Sequence, residues 1–101
     1  MGAKRTQPAG LINSGFQKIT TNSTATLLNS TCQLGSAFLM SVETQSIRVV
    51  FDGSTTPAAS TGVLLTAANS PYYFEGVDGT KLKLARAVAG AIVNVQAWRR
   101  A

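Results

Sequence analysis

In SAFLMSVE, residues 36–43, Phe38, Met40 and Val42 alternate with Ala37, Leu39 and Ser41. Successive side chains of an extended strand point to opposite faces, so this spacing gives a segment one wet face and one dry face. The stretch from Ser46 to Phe51 repeats the device, with Ile47, Val49 and Phe51 inward and Arg48 outward. The pattern returns at Val63 and Leu65, at Tyr72 and Phe74, in TKLKL at 80–84, and in AGAIVNVQAW, where Val93, Val95 and Ala97 oppose Asn94, Gln96 and Trp98. Shorter pieces stand at Phe16–Thr20 and Ala25–Leu28, with Asn29-Ser30-Thr31 breaking the run. Short period-two segments separated by Gly, Pro, Asn, Asp and Ser clusters define an all-β chain.

A helical alternative exists near the end, because Leu84, Val88, Ala91, Ile92 and Val95 also share a helical face. Gly90 in the middle, the β-branched Ile92, Val93 and Val95, and the lack of a cap before Leu84 favour strand–turn–strand. Asp78-Gly79 reads as a tight hairpin turn between flanking strands. The expected core comprises Phe38, Met40, Val42, Ile47, Val49, Phe51, Leu82, Leu84, Val93 and Val95. The expected fold is a small antiparallel β-sandwich or barrel, jelly-roll-like, over residues 13–101. Residues 1–12, with Gly2, Pro8 and Gly10 and no periodicity, read as an extended N-terminal arm.

The chain has 101 residues, no histidine and only four carboxylates, Glu43, Asp52, Glu75 and Asp78. The commonest general base, nucleophile activator and metal ligand is therefore missing. Asp52 and Asp78 each precede Gly in turn-forming sequence. No enzyme activity, cofactor or metal is expected. The stretch DGSTTPAASTG at 52–62 lacks the lysine of a phosphate-binding loop and reads as a flexible connector between strands. Cys32 is the single cysteine, which excludes an intramolecular disulfide and reads as a buried structural thiol.

The net charge is +5, and its placement matters more than its size. Lys4, Arg5, Arg99 and Arg100 are terminal, which leaves Lys18, Arg48, Lys81, Lys83 and Arg86 against four carboxylates, 5 − 4 = +1 for the body. Nucleic-acid binders usually carry a basic stripe across the folded body. Only Lys81, Lys83 and Arg86 resemble one, and their spacing is that of a strand's solvent face. The N-terminus has no apolar run after its basic pair, so it does not read as a signal peptide, and no stretch is apolar enough for a membrane span. Thr6 completes a short myristoylation pattern, a minor alternative, and the sequons at Asn22 and Asn29 read as ordinary polar surface.

SIRVVFDGSTTPAASTGVLL, PYYFEG and KLKLARAVAGAIVNVQAW, together spanning about residues 46–98, resemble the small all-β structural proteins of tailed bacteriophages. The resemblance lies in strand and loop texture. It implies a capsid decoration or cement protein, or a small head, tail or head–tail component. The virion is then the expected location, after synthesis in the host cytoplasm. The major capsid protein, further copies of the chain, or both are the expected partners, with no membrane, and with nucleic acid not expected. A carbohydrate-binding or nucleic-acid-binding β-sandwich module is the alternative. Aromatic and Arg residues are enriched at the centres of protein interfaces, and the candidate contacts are Lys4, Arg5, Pro8, Tyr73, Trp98, Arg99 and Arg100. For Trp98 two readings stand side by side, an exposed anchor or an edge of the core. Of the adjacent Tyr72 and Tyr73, one faces inward and the other is available outside.

Overall fold

A computed structural model describes residues 10–100, with strands β1 (Leu11–Thr20), β2 (Thr26–Leu27), β3 (Ala37–Glu43), β4 (Ile47–Val50), β5 (Val63–Leu65), β6 (Tyr72–Glu75), β7 (Lys83–Arg86) and β8 (Ile92–Arg100). A four-residue helix, α1 (Ser30–Gln33), and one 3-10 turn (Gly79–Lys81) complete it. The strands form two antiparallel four-stranded sheets, in the orders β1-β8-β3-β6 and β2-β7-β4-β5. The first strand pairs with the eighth, the second with the seventh, the third with the sixth and the fourth with the fifth. The chain is thus one long hairpin, doubled at the 51–62 connection and then rolled so that β8 also meets β3 and β7 also meets β4. That arrangement is the eight-stranded jelly roll.

Alternation decides which side chains fill the space between the sheets. Every residue of the expected core is buried except Phe51, which is half-buried and packs its ring 4.9 Å from that of Phe74. Leu28, Cys32 and Leu65 join them. The inward and outward tyrosines are Tyr72 and Tyr73 respectively: Tyr72 packs against the core with its hydroxyl accepting from the Thr66 backbone N–H at 2.9 Å, while Tyr73 is exposed.

The helix over 82–95 does not form, because β7 ends at Arg86 and the chain turns through Ala87–Gly90, with Gly90 at φ 89°. The Asp78-Gly79 pair is not a hairpin turn either. It carries the crossing from β6 in one sheet to β7 in the other, and Asp78 caps the 3-10 turn through the Thr80 N–H at 3.0 Å. Thr80 and Lys81 therefore lie outside β7. The break at Asn29-Ser30-Thr31 is a helical cap, the Asn29 carboxamide accepting from the Cys32 N–H at 2.9 Å.

β1 starts at Leu11, two residues inside the segment read as an arm; residues 1–9, with Lys4, Arg5 and Pro8, lie outside the described residues. A bulge between Asn13 and Gly15 lets β1 pass beneath α1, with the Ser14 hydroxyl donating to the Thr31 carbonyl at 2.6 Å. A methyl on Gly15 would sit 2.6 Å from Thr31 Oγ1. The helix packs against the inward side of β1, where the Gln17 carboxamide oxygen accepts from the Asn29 N–H at 2.8 Å, and the edge strands of the other sheet, β2 and β5, are very short, which limits the strand edge that sheet leaves open to pairing.

Candidate interaction surface

The 51–62 connection is anchored to the body of the sandwich at several points. Pro57 is fully buried, and a bridge between Ala58 and Thr61 closes a small hairpin. Arg48, projecting from the outer face of β4, donates through Nε to the Ala59 carbonyl and through Nη1 to the Gly62 carbonyl, each at 3.1 Å. Its charge is spent holding backbone. At the loop's start, Asp52 accepts from the Ser54 N–H at 3.0 Å, the Thr55 N–H at 2.9 Å and the Thr55 hydroxyl at 2.5 Å. These bonds, led by the Thr55 hydroxyl, pull its pKa down to about 2. Asp78 is likewise lowered, chiefly by the Thr80 hydroxyl.

Among the described residues no three His, Cys, Asp or Glu side chains come together as a metal site. Glu43 is bonded by the Asn94 carboxamide, and Cys32 is fully buried, with burial raising its thiol pKa. Lys83 pairs with Val50 on the outer side of its sheet, Lys81 lies on the preceding 3-10 turn, and Arg86 falls on the opposite parity of β7. The three cations do not form one stripe.

Two surfaces remain. The first is an end of the sandwich. Register pairs Leu11 with Arg100 and Ile12 with Arg99, so the chain enters and leaves the described structure side by side. Both arginines are exposed, and an open cleft of about 340 Å³ lies there, lined by Gly10, Leu11, Ser36, Glu75, Gly76 and Arg100. Trp98 stands next to this end but is not an exposed anchor. It is only 5% accessible, and Tyr73 meets it edge-on at a centroid distance of 6.3 Å. The side of the strand was legible from alternation; the covering neighbour from β6 was not. Burial and the Glu75 carboxylate raise the Tyr73 pKa.

The second surface is the outer face of the β1-β8-β3-β6 sheet. Phe16 lies opposite Gln96, Gln96 opposite Leu39, and Leu39 opposite Tyr73, one row crossing all four strands. Phe16 is 58% exposed, Leu39 36% and Tyr73 43%. Of this row, sequence alone singled out only Tyr73, because cross-strand register leaves no trace in any one segment.

No family model, no curated protein and no solved structure matches this chain. The class that can be stated is that of the fold, an eight-stranded antiparallel jelly roll.

Proposed function

We propose that the protein is a bacteriophage virion structural protein, a capsid decoration or cement protein that binds the major capsid shell through the end of the sandwich where the start of β1 lies beside the end of β8. The observation that carries this reading is the pairing of Leu11 with Arg100. It brings Arg99 and Arg100 beside the point from which the segment bearing Lys4 and Arg5 departs. Arg99 and Arg100 thus stand together at one pole, which suits an acidic protein surface. The texture resembling that of small phage structural proteins over residues 46–98 supports the same reading, and the jelly roll is an architecture that capsid domains use.

The test is to delete residues 2–10 and, separately, to change Arg99 and Arg100 to Ser, then measure thermal stability and co-sedimentation with assembled shells. Both variants are expected to fold with nearly unchanged melting temperature and to lose incorporation. Full incorporation of both would remove the basic end from the mechanism. Salt-sensitive binding to duplex DNA, lost in the same variants while shell binding persists, would instead assign the pole to a phosphate backbone.

A further inference from the structure

We propose that the outer face of the β1-β8-β3-β6 sheet is a binding platform for a neutral oligosaccharide, laid across the strands from Phe16 to Tyr73. This inference does not rest on the basic end or on the capsid reading.

The row itself sets the shape. With neighbouring strands about 4.8 Å apart, Phe16 and Tyr73 on the two edge strands are about 14 Å from each other. That is the length of roughly three pyranose units in a chain. Between the rings lies a carboxamide fixed in place: Gln96 Nε2 donates to Asn13 Oδ1 and, at 3.1 Å, to the Gly15 carbonyl. Both bonds run toward β1, and among the described residues no protein donor reaches Gln96 Oε1. One row along, Asn94 is fixed in the same way by donating to Glu43, which leaves its own Oδ1 as an acceptor. The face thus offers aromatic surfaces for the C–H faces of sugar rings and oriented amide oxygens for their hydroxyls. A few placed polar groups among apolar walls is the usual make-up of a small-ligand site.

Charge and the fixed acceptors select this occupant over others. On the outer parity of the sheet stand Lys18 and Arg100 against Glu43 and Glu75, 2 − 2 = 0, and none of them lies in the Phe16–Tyr73 row. A polyanion finds no excess of cations there. A dry protein face docking here would enclose the Gln96 and Asn94 oxygens, which cost free energy when buried without donors, whereas sugar hydroxyls supply those donors.

The experiment applies the full chain to a printed array of neutral and acidic oligosaccharides, then titrates the strongest neutral binder while following the fluorescence of Trp98, the single tryptophan, against which Tyr73 packs. Retention of a neutral glycan is expected. Phe16→Ala and Gln96→Leu should each weaken it at least tenfold with the melting temperature nearly kept, and Leu64→Ala, exposed on the other sheet, should leave it unchanged. Three results would overturn the proposal: an array with no neutral binder, binding indifferent to Phe16→Ala, or retention of acidic glycans alone. A concentration-dependent dimer in light scattering, abolished by Phe16→Ala, would likewise overturn it and assign the face to a second copy. Loss of shell binding in the arginine variants reads out separately, since those substitutions lie outside the row.

Discussion

An alanine at position 79 is expected to destabilise the protein by about 1–3 kcal/mol, the usual range for forcing extra volume into a packed site. The added methyl would lie 2.7 Å from the Gln33 carbonyl oxygen, 2.9 Å from Phe38 Cζ and 3.0 Å from the Cys32 carbonyl oxygen. Two of those atoms are backbone and cannot swing aside. Thermal or urea unfolding of Gly79→Ala measures the cost, and an unchanged midpoint would show that the crossing from β6 to β7 can shift freely. The residue type was readable in sequence and its reason was not. Asp-Gly is a turn signal, but the glycine here allows close approach to the carbonyl ends of α1, some 46 residues earlier in the chain. Trp98 repeats the lesson, since alternation places it on the outer face while its cover comes from Tyr73 on β6, a strand with which β8 does not pair.

At the scale of elements, the 51–62 connection gives the clearest dependence on pH. Asp52 has a folded-state pKa of about 2 against an ordinary 3.8, because Thr55 and Ser54 donate to its charged form. A depressed carboxylate contributes stability that is present above the ordinary value and lost as pH falls through the folded one. The difference in melting temperature between the native protein and Asp52→Asn is therefore expected to be steady above about pH 4 and to shrink as pH falls toward about 2. Asp78 shifts in the same direction but titrates in both proteins, so it cancels in the comparison. A difference that stays constant across that window would mean that the carboxylate's charge has no part in closing the loop. Strands were legible wherever one face is dry and the other wet: the alternating runs at 36–43, at 46–51 and from 89 onward contain β3, β4 and β8, with Phe51 falling just past the end of β4. What alternation could not reveal was the anchoring of a polar connector to the back of a sheet. Pro57 carries no periodic signal, and Arg48, which alternation places outward, is held there by the carbonyls of Ala59 and Gly62. The candidate surface was hidden for the same reason, since Phe16, Gln96, Leu39 and Tyr73 come from four strands and become one row only after register is set.

The whole molecule is nested from the inside out, each strand pair enclosing the one before it, from β4–β5 at the centre to β1–β8 at the rim. Loop closure costs more conformational entropy the longer the loop. The central pair closes the shortest loop, and each pair formed shortens the span left for the next. Assembly is then expected to run like a zipper, with the rim strands docking last. Non-local pairing of this kind puts folding in the range of milliseconds to seconds. Val49 on β4 and Val93 on β8 are both fully buried, so alanine at either removes a comparable contact from the finished protein. Stopped-flow kinetics should separate them: Val49→Ala slows folding, whereas Val93→Ala leaves the folding rate nearly unchanged and speeds unfolding. The opposite partition would mean that the rim forms first. With the zipper order, the strand pair that opens most readily is β1–β8, so a partner gripping its tip, where Leu11 lies opposite Arg100, would close the last seam of the roll and slow its unfolding without touching the core.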